Sequence, residues 1–234
     1  EDVRALIGDG ATSVVQPEAR GTGHAVQCGM TALEGFDGDV LILNGDHPLV
    51  RGELLRSLVG THREALAAAT LLTTRFDVRD ASDPRQAFGR VVRDRDGNVQ
   101  RVVEVRDASA EELGNGEGNV GFYVFATGPL REALAEIRPD NAQGELYLPD
   151  VVPALAAHGR RITGHVSDDD TSTIGVNTRV DLATAARLMR ERLIEGHLLA
   201  GAGIVDPATT FIDAEVVLEP DCVIHPFSVL RGTT

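Results

Sequence analysis

The chain is poor in cysteine, in positive charge and in long hydrophobic runs, and each shortage argues against a class of protein. Its two cysteines, Cys28 and Cys222, are expected to be buried thiols in a reducing cytoplasm rather than a disulfide. With 22 Lys and Arg against 36 Asp and Glu, the formal net charge is −14, which argues against nucleic-acid binding and anionic membranes. No apolar run approaches the roughly 20 residues of a membrane helix.

The rest of the composition is that of an ordinary globular protein. Hydrophobic residues make up 42% of the chain and charged residues 25%, which is usual for globular proteins. The length of 234 residues is sufficient for one large domain or one and a half. The first residue is Glu rather than Met, so we expect the natural chain to begin earlier. We therefore predict that these residues are an internal piece of a longer cytoplasmic protein without a nucleic-acid or membrane partner.

Two short segments predict a nucleotide site. Residues 39–49 contain the aliphatic run Val40–Leu43 followed by Asn44-Gly45, the pattern of a buried parallel strand that leaves Asp46 past its carboxyl end. Open α/β sheets bind ligands at that edge. Residues 16–26 contain Gly21 and Gly23, which let backbone approach a ligand closely before a helix begins.

The motifs and their order resemble those of the bacterial bifunctional family that joins N-acetylglucosamine-1-phosphate uridylyltransferase to glucosamine-1-phosphate N-acetyltransferase. In chain order, the matching motifs are Gln16 with Gly21-Thr22-Gly23-His24-Ala25, Gly45-Asp46-His47-Pro48-Leu49, Phe88-Gly89-Arg90-Val91-Val92, Val103-Glu104-Val105-Arg106-Asp107-Ala108, Asn119-Val120-Gly121, Asn141-Ala142-Gln143-Gly144-Glu145-Leu146-Tyr147 and Gly175-Val176-Asn177-Thr178-Arg179. A single motif of this kind is weak evidence for a family, but several motifs in a fixed order are strong evidence.

The resemblance implies a Rossmann-like α/β nucleotidyltransferase sheet over residues 1–178, a linker helix over 179–200 and the first coils of a left-handed parallel β-helix over 201–234. The sequence pattern itself predicts strands at 13–16, 40–43, 69–73, 120–125 and 161–166, a hairpin from 91–93 to 99–103, and helices at 23–33, 53–66, 130–137, 148–157 and 180–199. Residues 107–118 are predicted to be an acidic loop. Residues 167–170 are more consistent with a solvated loop than with a metal site.

The last segment repeats every six residues. Aliphatic residues open each hexad, and small residues take the fifth place: Ile212, Leu218, Ile224 and Leu230, then Val216, Cys222 and Ser228. This period is typical of a parallel β-helix, in which each aliphatic side chain points into a triangular prism. About one and a third coils are present, so we expect the domain to continue beyond the chain.

Asp46 and Asn177 are the predicted magnesium ligands. Mg²⁺ prefers oxygen ligands and is usually held by one or two protein groups together with substrate phosphates, which one carboxylate and one amide satisfy. Two alternatives stay open: Asp46 as a turn former after its strand, and Asn177 as a cap of the following helix.

The resemblance assigns the substrates to the remaining site residues. Gln16, Gly21 and Thr22 are implied to contact the uridine of UTP, and Asn44 with Gly45 to lie beside the ribose and phosphate. A separate set is implied to recognise the N-acetylglucosamine moiety of the sugar phosphate and of the product UDP-N-acetylglucosamine: Gly89, Glu104 and Asn119. A solvated Glu104 at a strand end and a structural His24 are the alternative interpretations.

Several features depart from the family pattern. Residues 1–15 hold no match to the glycine-rich triphosphate loop, Asn44 replaces a commoner aromatic or small residue, Pro149 stands where Thr is usual, and His47 is unusual after Asp46. The acetyltransferase part, with its acetyl-CoA site, is expected beyond the chain, in a homotrimer. The alternatives are a glucose-1-phosphate type of nucleotidyltransferase and a non-catalytic regulatory subunit with this fold.

Overall fold

The computed structural model describes residues 2–233, which divide into two compact units. The first unit contains the described residues up to Asn44 together with Arg51–Asp170. The second contains Gly45–Val50 and the described residues from Thr171 onwards. The short segment Gly45–Val50 therefore belongs to the later part of the chain, although the residues on both sides of it do not.

A mixed six-stranded sheet forms the centre of the first unit. Its strands are β1 Asp39–Ile42, β2 Ala69–Arg75, β3 Arg90–Arg93, β4 Val99–Val103, β5 Glu117–Ala126 and β6 Ile162–Val166. Hydrogen bonds order them β4-β3-β5-β2-β6, and β1 also pairs with β5. Strands β2 and β6 are parallel, whereas β5 is antiparallel to β1, β2 and β3. The predicted α/β class is confirmed in this mixed form.

The predicted direction of the strand before Asp46 is wrong. Strand β1 pairs antiparallel with the end of β5, with Asp39 opposite Ala126 and Ile42 opposite Tyr123. It is half-buried rather than buried. A short aliphatic run suits a parallel core strand and an antiparallel strand equally well. Its partner, β5, comes much later in the chain. The sequence around residue 40 therefore does not predict this pairing.

The described residues form α-helices in both units. They are α1 Asp2–Ile7, α2 Thr22–Thr31, α3 Gly52–Ala65, α4 Ala110–Leu113, α5 Thr127–Glu136, α6 Val151–Ala157 and α7 Arg179–Leu199. The long helices predicted from apolar spacing are confirmed with shifts of a few residues at their ends. Two local predictions are wrong: residues 13–16 form no strand, and residues 107–118 contain α4 and the start of β5.

The core of the first unit lies between the sheet and its helices. Strand β2 is buried from Ala69 to Thr74, and the middle of β5 is buried as well. Leu71, Phe125 and Leu130 are fully buried in the same cluster. Each such side chain contributes about 1.5–3 kcal/mol relative to exposure. The sheet that carries the predicted sugar residues is therefore a rigid support.

The second unit combines a long helix with short parallel strand pairs. Helix α7 spans 21 residues and begins with a capping box between Thr178 and Asp181. Strands β7 Gly203–Ile204 and β9 Val223–Ile224 pair in parallel, as do β8 Phe211–Ile212 and β10 Val229–Leu230. Phe211 lies opposite Val229, a spacing of three hexads. Among the described residues 205–233, short strands and a 3₁₀ turn at Pro207–Thr209 are present, and no α-helix is.

Apolar spacing predicts one stripe on α7, formed by Leu182, Ala185, Met189 and Leu193, and the buried side of the helix differs from it in part. Ala185 and Ile194 are buried, whereas Leu182 is 55% exposed. Ile194 packs with Ile204, Ile212 and Val216. The later turns of α7 therefore pack on the short strands. Among residues 2–233, no helix is long and apolar enough to cross a membrane.

Candidate functional site

The glycine-rich turn of the first unit is held by a later segment of the chain. Gly21 precedes α2 with φ of 102°, and a Cβ placed on it would lie 2.5 Å from the Leu146 carbonyl oxygen. Gly23 N donates to the same oxygen at 2.7 Å. Thr22 Oγ1 accepts from Leu148 N at 2.9 Å. Both glycines are therefore required by close backbone contact within the protein as well as by any approach to a ligand.

Gln16 is fixed against this turn. Its Nε2 donates to the Gly21 carbonyl oxygen at 3.1 Å and lies 3.2 Å from His24 Nδ1. His24 Nδ1 also lies 3.1 Å from the Glu18 carbonyl oxygen. His24 therefore supports Gln16, in agreement with the structural interpretation of this histidine. The structure brings together Gln16, Gly21 and Thr22.

The three predicted sugar residues also converge. Asn119 N donates to the Gly89 carbonyl oxygen at 2.8 Å, and a Cβ placed on Gly89 would lie 3.2 Å from Glu104 Oε1. The next residue, Arg90, is 2% exposed and donates to the Gln86 carbonyl oxygen at 3.2 Å, which fixes the segment before Gly89. The absence of a side chain on Gly89 leaves one oxygen of Glu104 uncovered beside it.

Glu104 is not a solvated strand-end residue. It follows β4 and is half-buried, and burial, together with the charges of Asp107 and Asp150, raises the pKa of its carboxyl. Burial also raises the pKa of Asp150 to about 6, with further contributions from Asp107 and Asp140. Asp107 and Asp150 thus add negative charge near Glu104.

Asp150 and Tyr123 are candidate functional residues that sequence reasoning missed. The hydroxyl of Tyr123 accepts from Asn119 Nδ2 at 2.7 Å in a buried hydrogen bond. Burial raises the pKa of this hydroxyl, with Glu104 and Asp150 adding to the shift. Asp150 lies three residues after the matched segment Asn141–Tyr147, and that proximity was the available signal. Tyr123 carried no signal, since an aromatic residue in a strand is usually core.

Asn44 and Gly45 are placed differently from each other. Asn44 belongs to the first unit, where its Nδ2 occupies the space that a Cβ on Gly121 would need. Gly45 belongs to the second unit. Within residues 2–233, no atom lies within 4 Å of a Cβ placed on Gly45. The protein itself therefore gives Gly45 no steric reason to be glycine.

The two segments that carry the predicted metal ligands contact each other in the second unit. Val176 N donates to the Asp46 carbonyl oxygen at 2.8 Å, which places Asn177 one residue from this contact. His47 Nδ1 donates to Asp46 Oδ1 at 2.9 Å. A Cβ on Gly175 would lie 3.4 Å from the His47 ring and 3.8 Å from Asp46 Oδ2. Glycine at 175 lets the two segments approach closely.

Asn177 does not cap the following helix. The cap of α7 is Thr178, whose side chain accepts from Asp181 N. The backbone N–H of Asn177 donates to Asp181 Oδ2 at 3.1 Å. Asn177 is exposed, and the Asp46 side chain is 44% exposed. The cap interpretation of Asn177 is therefore wrong.

The donors fit a magnesium ion. A carboxylate and an amide offer the hard oxygen atoms that Mg²⁺ prefers, and this ion commonly takes only one or two protein ligands. Among the described residues, no group of three or more His, Cys, Asp or Glu side chains could hold a metal ion. In the run 167–170, Asp169 pairs with Arg51 and Asp170 with Arg85. Asp46 and Asn177 therefore stay the predicted ligands.

Known proteins match this chain over most or all of its length. Bifunctional protein GlmU of Corynebacterium efficiens is 44% identical over 234 residues, which is 100% of this chain and 47% of that protein. Proteins of the same name are 42% identical in Corynebacterium diphtheriae, over 100% of this chain and 47% of theirs, and in Brevibacillus brevis, over 99% and 49%. The chain thus spans about half the length of the curated relatives it matches. The predicted resemblance is confirmed.

A solved structure shows the same fold. The crystal structure of UDP-glucose pyrophosphorylase complexed with UDP-glucose aligns with a TM-score of 0.56 at 16% identity, over 77% of this chain and 66% of that one. The family profile described as nucleotidyl transferase matches residues 4–174. Because that profile covers well over half of the sequence, the chain belongs to the nucleotidyl transferase family.

Proposed function

We propose that the longer protein containing this chain transfers the uridylyl group of UTP to N-acetylglucosamine-1-phosphate. The products are UDP-N-acetylglucosamine and pyrophosphate. The observation that carries the proposal is the convergence of Gly89, Glu104 and Asn119, which come from three separate motifs, in the first unit. Family membership supports the reaction class, and the relatives named bifunctional support a second activity outside the matched half.

The reaction is an in-line displacement at phosphorus. A phosphate oxygen of the sugar phosphate attacks the α-phosphorus of UTP, a new P–O bond forms, and the bond to the β-phosphate oxygen breaks as pyrophosphate leaves. Negative charge is spread over phosphoryl oxygens throughout, so positioning and electrostatic stabilisation supply most of the rate. The attacking phosphate is already anionic. No side chain needs to remove a proton from it.

Asp46 and Asn177 would hold Mg²⁺, with Asp46 supplying a carboxylate oxygen and Asn177 an amide oxygen. When bound, the ion neutralises charge on the phosphates. His47 donates to Asp46 Oδ1, which orients the carboxylate and leaves Oδ2 as its second oxygen. Gly175 leaves room beside that oxygen.

The first unit would supply recognition. Gln16, Gly21 and Thr22 lie together and would contact the uridine. Asn44 would lie beside the ribose and phosphate. Gln16 Nε2 is already engaged with Gly21, so its Oε1 is the atom available to accept from a base N–H. Glu104 would accept from sugar hydroxyls, and Asn119, with both a donor and an acceptor, would face the acetamido group.

The second half of the enzyme would be an acetyltransferase. The parallel pairing of β8 with β10 at a spacing of three hexads supports the start of a β-helix over 201–234. We propose that residues 1–178 are the nucleotidyltransferase domain and 179–200 the linker helix. The complete protein would be a homotrimer through its β-helix, using acetyl-CoA to acetylate glucosamine-1-phosphate.

The test is a substrate panel on the full-length protein. Purified enzyme with UTP and Mg²⁺ is offered N-acetylglucosamine-1-phosphate, glucosamine-1-phosphate or glucose-1-phosphate. Pyrophosphate release is followed, and the nucleotide sugar is identified by mass spectrometry. The proposal expects the highest kcat/KM with the acetamido sugar. A preference for glucose-1-phosphate would favour the alternative nucleotidyltransferase, and no transfer to any sugar would favour the regulatory subunit.

A further inference from the structure

Strand β5 is interrupted between the predicted sugar residue Asn119 and the buried Tyr123. In its pairing with β2, Thr73 lies opposite Asn119 and Leu71 lies opposite Tyr123, with a register shift between the two pairs. More residues of β5 than of β2 therefore occupy this stretch, which is the signature of a β-bulge. Gly121 lies at its centre with φ of 90°, a backbone conformation that favours glycine.

The bulge brings two side chains within hydrogen-bonding distance. In a regular strand, residues four apart are separated by about 13 Å along the strand. Here Asn119 Nδ2 donates to the Tyr123 hydroxyl at 2.7 Å. Asn119 is 7% exposed and Tyr123 is 2% exposed, so the bond is shielded from water. Bulges next to functional sites commonly redirect a side chain in this way.

The hydrogen bonds determine which way the Asn119 amide faces. Gly121 N donates to Asn119 Oδ1 at 3.3 Å, and a backbone N–H can only donate. The oxygen of the amide must therefore be on the Gly121 side, and the NH₂ group must be on the Tyr123 side. The Tyr123 hydroxyl accepts in this arrangement, and its own proton points away from Asn119. One N–H and one oxygen lone pair of Asn119 are left in fixed directions.

Tyr123 is itself held in place. Its ring stacks on Phe125 with centroids 5.5 Å apart and planes 19° apart. Its position on β5 lies between β1 and β2, opposite Ile42 and Leu71. The hydroxyl is consequently a fixed hydrogen-bonding point at the end of a rigid ring.

We propose that Tyr123, together with the Gly121 bulge, is a positioning residue that orients the Asn119 amide toward the acetamido group of the sugar phosphate. The inference rests on the proposed function, because it takes Asn119 to contact the sugar. Without the Tyr123 hydroxyl, Asn119 Nδ2 loses its acceptor and the amide can turn. Tyr123 does not touch the reacting atoms, so its removal affects sugar binding and leaves the chemical step unchanged.

The experiment is a double-mutant cycle in the full-length protein with Tyr123→Phe, Asn119→Ala and the combined variant. Tyr123→Phe should raise the KM for N-acetylglucosamine-1-phosphate about tenfold, as expected for one buried hydrogen bond. The KM for UTP and kcat should stay within about twofold. Added to Asn119→Ala, it should cause no further rise. An unchanged KM in Tyr123→Phe, or additive effects in the double variant, would overturn the proposal.

Thr127→Val is the matched control for lost stability. Thr127 is 1% exposed, and its Oγ1 accepts from Gly38 N at 3.1 Å, so the variant also removes a hydrogen bond of a buried side chain. It should lower the unfolding temperature and leave the KM for the sugar phosphate unchanged. An equal rise in KM in Thr127→Val would show that lost stability alone explains the result for Tyr123→Phe.

Two further outcomes separate the inference from the proposed function. If Asn119→Ala leaves the KM for the sugar phosphate unchanged, the sugar assignment fails and the role of Tyr123 fails with it. If Asn119→Ala raises that KM and Tyr123→Phe does not, only the role of Tyr123 fails.

If Tyr123→Phe does not fold, the side-chain amide of Asn119 is followed by NMR in the native full-length protein without substrate. The inference predicts an ordered Asn119 NH₂ group whose side-chain N–H exchanges slowly with water, because the Tyr123 hydroxyl accepts from it. A mobile amide with fast exchange would contradict it.

Discussion

The two units treat their candidate functional residues differently. In the first unit, the recognition residues are bound by the protein itself: Gln16 to Gly21, Thr22 to Leu148 and Asn119 to Tyr123. In the second unit, Asp46 and Asn177 are exposed. His47 donates to one carboxylate oxygen of Asp46, and backbone atoms of Asp46 and Asn177 make the contacts that hold their segments in place. This difference agrees with a proposed division of roles, in which the first unit orients the substrates and the second unit holds the metal ion.

The physical reason lies in what each ligand demands. A base or a sugar is recognised by donors and acceptors in fixed directions, so the protein gains by ordering those groups before binding. A magnesium ion keeps several waters and takes oxygen atoms from phosphates as well as from protein. Its protein ligands can therefore stay open to solvent.

The largest expected effect tests the exposed candidate metal ligands, Asp46 and Asn177. Asp46→Asn removes the carboxylate charge and should reduce kcat for uridylyl transfer by at least about 100-fold at saturating substrates and Mg²⁺, because charge on the phosphates is no longer neutralised. The unfolding temperature should stay unchanged, since Asp46 is exposed. Steady-state kinetics and thermal unfolding of the full-length protein measure both.

Asp96→Asn is the matched control for this change. Asp96 is an exposed residue of the turn between β3 and β4, and the same loss of charge there should leave kcat unaltered. Full activity of Asp46→Asn at saturating Mg²⁺ would remove the second unit from the proposed division.

A smaller effect tests the sugar-recognition residues of the first unit. Glu104→Ala removes an acceptor for sugar hydroxyls and should raise the KM for N-acetylglucosamine-1-phosphate by about tenfold or more. The KM for UTP should change by less than about twofold. Glu111→Ala, at an exposed position of α4, is the control and should change neither value. A loss confined to UTP would mean that the nucleotide and sugar ends of the site are assigned the wrong way round.

The smallest effect concerns the contribution of Asp150, near Glu104, to the stability of the folded protein. The pKa of Asp150 is raised from 3.8 to about 6 by burial and by Asp107 and Asp140, so folding favours its protonated form. Its contribution to stability is present below pH 3.8 and is lost as pH rises through about 6. Asp150→Asn keeps the neutral shape and should stabilise the protein at pH 8 by about 1 kcal/mol, the full shift being discounted for partial solvent screening.

Thermal unfolding at pH 4 and pH 8 checks this prediction. The gain of Asp150→Asn over the native protein should appear at pH 8 and be nearly absent at pH 4, whereas Asp96→Asn should show no such difference. Equal effects at both pH values would show that Asp150 does not titrate in this range.

The sequence predicted what local patterns determine. Helix α7 follows from apolar spacing over 21 residues, and the hairpin of β3 and β4 follows from its Asp-Gly turn. The antiparallel pairing of β1 could not be predicted, because it depends on β5. The bulge at Gly121 depends equally on the register against β2. The same holds for the site: motif order indicated Glu104 and Asn119, but the contact of Asn119 with Tyr123 required the folded strand.

One measurement tests the proposed division most directly. The full-length protein, Asp46→Asn and Glu104→Ala are compared for their Mg²⁺ dependence and for their preference between N-acetylglucosamine-1-phosphate and glucose-1-phosphate. The account predicts that Asp46→Asn loses activity at every Mg²⁺ concentration and keeps the native sugar preference in its residual activity. It predicts that Glu104→Ala keeps the native Mg²⁺ dependence and loses affinity for the sugar phosphate. An altered sugar preference in Asp46→Asn, or an altered Mg²⁺ dependence in Glu104→Ala, would contradict it.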